Sequence, residues 1–72
     1  MKNRSLGASQ RAHLRLARKH EKKMRSDSKN YDKHFIRGSY HAYCVNRQEN
    51  LGRVLTEREK KKAYDTVIST FY

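Results

Sequence analysis

Not one of the 72 residues is proline. Average usage of about 5% would place three or four in a chain of this length. Proline ends helices by removing an amide donor and clashing with the preceding turn. Without it, a helix here stops only where its own capping residues stop it. Most of the chain repeats its apolar positions at helical spacing, which predicts an all-α fold, a small bundle of about three helices.

The first helix is expected to begin after Gly7, with Ser9 as N-cap, and to end near Arg25. Ser26-Asp27-Ser28 then offers side-chain oxygens that compete with the helix backbone, which marks a turn. Asp27 and Asp32 flank it and read as turn and cap residues. The stretch 29–50 is open between three readings. As one helix it places Tyr31, Phe35, Gly38, Ala42 and Val45 on one face, with Gly38 and Ala42 allowing a second helix close. As strands, His34-Phe35-Ile36 and Tyr40 to Val45 pair across Gly38-Ser39. As two helices, the break falls at Gly38-Ser39. The single helix is favoured, because the stretch is rich in helix formers and a lone hairpin is poorly stable.

Gly52 is a helix stop. Thr56-Glu57-Arg58-Glu59 spells a capping box, in which the Thr56 hydroxyl takes the Glu59 amide and the Glu59 carboxylate takes the Thr56 amide. Ala63, Tyr64, Val67, Ile68 and Phe71 follow as one apolar stripe. The chain thus divides into a basic N-terminal helix or arm, 1–27, and a helical hairpin core, 28–72.

Material for a core is scarce. The apolar candidates are Leu14, Leu16, Met24, Phe35, Ile36, Val45, Leu51, Val54, Leu55, Val67, Ile68 and Phe71. A domain of this size buries only about 60% of its unfolded surface. Cys44 is the one cysteine, so no disulfide can help, and a single thiol suits a reducing, cytoplasm-like compartment. Low hydrophobicity with high net charge borders on the disordered class. The basic helix is therefore expected to order fully only on a partner.

The net charge is +11, and it is uneven. Residues 1–25 carry nine Lys and Arg against Glu21 alone. Within them Arg11, Arg15, Arg18, Lys22 and Arg25 recur at steps of four and three, within about 80° of one another around a helix axis. Lys19 and Lys23 widen the stripe. The opposite face carries His13, Leu16, Ala17, His20 and Met24, a weak packing surface with both histidines at its polar edge. Solvated helix faces usually mix signs in i,i+4 pairs; this one has almost no acid. A row of guanidinium and ammonium groups matches the phosphates of a nucleic acid and displaces condensed counterions. Arginine adds bidentate contacts.

Other clusters are weaker. Lys60, Lys61 and Lys62 follow Glu57 and Glu59 and read as a compensated, solvated face. Those two carboxylates also argue against a DNA-recognition role for the last helix. Tyr40 and Tyr43, near Arg37 and His41, are the aromatics placed to stack unpaired bases. His34, His41 and Cys44 share a helical face, but they lack the paired ligands of a zinc site. No metal or cofactor is expected. No nucleophile with base and orienter and no phosphate loop appears, so the chain does not read as an enzyme.

The expected function is non-enzymatic nucleic-acid binding through Arg11, Arg15, Arg18, Lys19, Lys22, Lys23 and Arg25. RNA or a ribonucleoprotein is favoured over duplex DNA, since arginine-rich segments commonly fold on RNA. The alternative is an interaction protein that docks on an acidic surface of a larger protein, anchored by Tyr64, Val67, Ile68 and Phe71 and steered by charge. No segment is apolar enough to span a membrane. A mitochondrial leader in the first twenty residues is a minor alternative. Oligomeric state is left open.

Overall fold

A computed structural model describes residues 2–71, with side chains described from Leu6 onward. The chain is all-α: α1 (Lys2–Ser26), a single 3-10 turn (Ser28–Asn30), α2 (Tyr31–Leu51) and α3 (Glu57–Phe71), with no strand among the described residues. The body is elongated, 41 × 23 × 16 Å.

Helix α1 starts earlier than its sequence suggests and runs straight through Gly7. Glycine inside a helix costs about 1 kcal/mol relative to alanine but does not forbid it. Ser9 is not an N-cap. Its hydroxyl donates instead across the bundle to Gln48 Oε1 at 3.2 Å. The turn falls where the polar triplet placed it. Asp27 N–H closes α1 on the Lys23 carbonyl at 2.7 Å, and Asn30 Nδ2 donates to the Asp27 carboxylate at 3.0 Å.

The stretch 29–50 is neither a hairpin nor two helices. After the 3-10 turn it forms one continuous α2 that packs antiparallel on α1. Gly38 sits at their closest approach, where a Cβ would lie 3.5 Å from His20 Cβ and 3.7 Å from the Ala17 carbonyl. Ala42 is exposed and takes no part. The face buried against α1 is His34, Gly38, His41, Val45 and Gln48. It is rotated from the face expected through Tyr31, Phe35 and Ala42, because polar side chains rather than apolar ones fill this contact.

Gly52 ends α2 in the left-handed conformation (φ 73°), its amide bonded to the Gln48 carbonyl at 2.8 Å. The capping box closes as spelled: Glu59 N–H donates to Thr56 Oγ1 at 3.2 Å, and Thr56 N–H to Glu59 Oε1 at 2.9 Å. Arg53 grips the same carboxylate with two hydrogen bonds of 2.8 Å. The guanidinium and the Thr56 amide hold the Glu59 carboxyl down at about 2.

Helix α3 returns along α2. Cys44, Leu55 and Ala63 form the buried core with Tyr40 and Tyr43 packed against it, and Val67 is buried further along. Phe71 meets Phe35 edge-on at 4.7 Å, and Tyr64 meets Tyr40 at 5.5 Å. Leu14, Leu16, Leu51 and Phe71 stand largely exposed rather than in the core. Gln48 compensates in part for so little apolar material. It is wholly buried and fully used: its Nε2 donates to Gln10 Oε1 at 2.7 Å, while its Oε1 accepts from Ser9 and from the Leu55 amide. One side chain thus joins α1, α2 and the loop that leads into α3.

Candidate functional site

The inner face of α1 determines where its cations point. Ser9, Gln10, His13, Ala17, His20 and Met24 turn toward α2, and all are buried or half-buried. That leaves Arg11, Arg15, Arg18, Lys19, Lys22, Lys23 and Arg25 on the outer surface, every one exposed. From Arg11 to Arg25 the stripe runs about 21 Å at 1.5 Å per residue, on an unbroken helix. The ion pairs among the described residues are His34–Asp27, Arg53–Glu59 and Lys60–Glu57. None draws on the stripe, although Glu21 lies beside Arg18, Lys22 and Arg25, and Asp27 lies near Lys23.

Arg11, Arg15, Arg18, Lys19 and Lys22 border a shallow depression together with Leu14, which is 42% exposed. Leu14 belongs to this face, although its hydrophobicity alone assigns it to the core. The signal was present: at 100° per residue Leu14 lies about 60° from Arg11 and about 20° beyond Arg25, at the edge of the sector the cations occupy. A second hollow holds Arg18, Lys22 and Arg25 with Glu21.

Helix α3 presents less. Lys60 pairs with Glu57 at 3.4 Å, as the compensated reading of the lysine cluster requires. Val67 is buried, Ile68 is half-buried, and Tyr64 and Phe71 each keep one side against α2. Most of the apolar stripe therefore covers α2. Tyr40 likewise packs inside the bundle, between Tyr64 and the edge of His13. Burial and its neighbour Cys44 push its hydroxyl up to about 12. Tyr43 is more open. It lines a cleft of about 270 Å³ between α2 and α3 with Arg47, Leu55, Glu59, Lys62, Ala63 and Thr66. The grouping of Arg47 with Lys62 escaped sequence reasoning because the two lie on different helices.

His34 and His41 do not act with Cys44. The thiol turns into the core, where burial raises its pKa, and the imidazoles face α1. Among the described residues no three ligand-type side chains converge on a metal position. His13 and His20 are at the centre of the α1–α2 contact rather than at a polar edge, paired with His41 and His34. Among the described residues no helix is long and apolar enough to cross a membrane.

No protein-family model matches this chain, and no curated protein or solved structure matches it either.

Proposed function

We propose that this protein is a small non-enzymatic nucleic-acid-binding protein, with RNA or a ribonucleoprotein surface as its target in preference to duplex DNA. Arg11, Arg15, Arg18, Lys19, Lys22, Lys23 and Arg25 grip backbone phosphates with little sequence preference. The observation that carries this reading is the outward stripe of seven exposed cations, none of them in an ion pair among the described residues. Its length suits a row of phosphates, and guanidinium groups add bidentate contacts and stacking on exposed bases. Of the two tyrosines considered for stacking, Tyr43 borders a cleft with the cationic neighbours Arg47 and Lys62. The burial of the lone thiol is in keeping with a reducing compartment.

The second reading is a protein that docks on an acidic protein surface. The exposed edges of Tyr64 and Phe71, 37% and 45% accessible, favour it. The two readings separate in one titration of fluorescent single-stranded RNA, duplex RNA and duplex DNA at low and moderate salt. Phosphate binding gives log K falling linearly with log salt. Neutralising Arg15, Arg18 and Lys22 together to Gln lowers the slope by about 2–3, since each phosphate left without its cation removes about 0.9 on a duplex and less on a single strand. Weak binding to all three ligands at both salts refutes the nucleic-acid reading and directs attention to Tyr64 and Phe71.

A further inference from the structure

All four histidines of the chain lie in the seam between α1 and α2. His13 Nδ1 is 2.9 Å from His41 Nδ1, and His20 Nδ1 is 3.1 Å from His34 Nδ1. The His20 ring lies parallel to His41 with centroids 6.0 Å apart, so the two pairs join into one row. We infer that this row is a proton-operated latch: neutral imidazole pairs hold α1 down on α2, and mild acid releases it. The inference stands independently of what the outer stripe binds.

A bond between two ring nitrogens needs one N–H and one bare nitrogen. In the second pair the tautomers follow from the surroundings. His34 Nε2 lies 3.2 Å from Asp27 Oδ2, to which it donates. Neutral His34 therefore has a bare Nδ1, and His20 is the donor. One added proton, taken at His20 Nε2, leaves this bond intact. The first pair has no such anion. Tyr40 stands edge-on to His13 and tilted against His41. A second proton on either pair sets two N–H groups against each other at about 3 Å, and the hydrogen bond becomes a like-charge contact.

The charges around the row oppose proton uptake on every side but one. Lys60 of α3 acts on His13, while Lys19 of α1 and Arg37 of α2 act on His20. Asp27, itself near Lys23, is the exception. Burial comes first in lowering His13, His20 and His41, followed by Lys60 at His13, by His34 and then the two cations at His20, and by the other imidazoles at His41, which falls to about 4. In the released form the rings regain their ordinary value near 6.5. The released form therefore takes up protons first. Docking is at full strength above about pH 6.5 and weakens as pH falls toward 4.

The experiment uses the full chain without nucleic acid. Ring 15N NMR follows the titration and tautomer of each histidine, and amide exchange, corrected for its intrinsic pH dependence, follows α1. The expected result is that the His13 and His41 rings resist protonation down to the pH at which α1 protection collapses, while Cys44 and Ala63 amides hold longer. His13→Gln with His41→Gln supplies a pair that can hydrogen-bond but not titrate, and it should reduce the pH-dependent loss of α1 protection about tenfold. Asp27→Asn should move release to higher pH. Histidines that titrate near 6.5 with α1 still protected overturn the latch, and so does a Gln pair with undiminished pH dependence.

Discussion

Gln48 shows how a single polar residue can organise a core this thin. Its amide is inaccessible to water and makes three side-chain hydrogen bonds, to Ser9, Gln10 and the Leu55 amide. Truncation leaves a cavity and strands the Leu55 donor, so Gln48→Ala is expected to cost about 2–4 kcal/mol. A urea denaturation midpoint checks this, and a loss under 1 kcal/mol would mean that water replaces the amide. Gly38 makes the opposite case. A methyl there meets His20 Cβ and the Ala17 carbonyl at ordinary contact distance. Gly38→Ala should therefore be neutral or stabilising by up to about 1 kcal/mol through helix propensity. Gly38→Val brings two further carbons into the same gap and should undock α1. Amide exchange of α1 in the two variants distinguishes these outcomes. If both behave alike, close approach at Gly38 is not what the glycine provides.

At the scale of elements, α3 is the helix whose boundaries rest on local chemistry. Thr56 and Glu59 exchange hydrogen bonds, and Arg53 secures the carboxylate from the preceding loop. Thr56→Ala should lower stability by about 1 kcal/mol in a thermal or urea melt, a typical cost of removing an N-cap. Because the Glu59 carboxyl is held at about 2, its share persists above the ordinary carboxylate range and is lost as pH falls through that low value. The capped helix should thus survive the mild acid that opens the histidine row. Helix α2 was harder to orient than to detect. Its hydrophobic pattern points through Phe35 and Ala42, whereas it meets α1 through His34, His41 and Gln48. Imidazole and amide groups score as surface residues until partners for their hydrogen bonds come from another helix.

The whole molecule divides its two long contacts by chemistry. α2 meets α3 through Cys44, Ala63 and aromatic edges, and it meets α1 through hydrogen bonds between rings and amides. Polar contacts of this kind weaken sharply when a proton is added or a partner is removed, whereas apolar contacts respond little to pH. The molecule is therefore expected to open in two stages in acid, α1 first. The cationic face is indifferent to that split. It holds none of the four imidazoles, so phosphate affinity should respond to salt far more than to mild acid, unless α1 must be docked to hold the stripe straight. Binding titrations at pH 7 and pH 5 at one salt concentration decide which of these holds.

Helix content, the turn at Ser26-Asp27-Ser28, the stop at Gly52, the capping box and the cationic stripe could all be read directly, because each depends on residues within a few positions of one another along the chain. The angular arithmetic of one helix also places Leu14 at the edge of the cationic sector. Which polar residues would be buried was a different matter. Ser9, Gln10, His13 and His20 find their partners 14 to 39 positions away, and hydrogen-bond complementarity between distant residues leaves no periodic trace. Folding α1 back on α2 was the decision of the tertiary structure. It turned residues with surface chemistry into the interior and left the arginines on the outside.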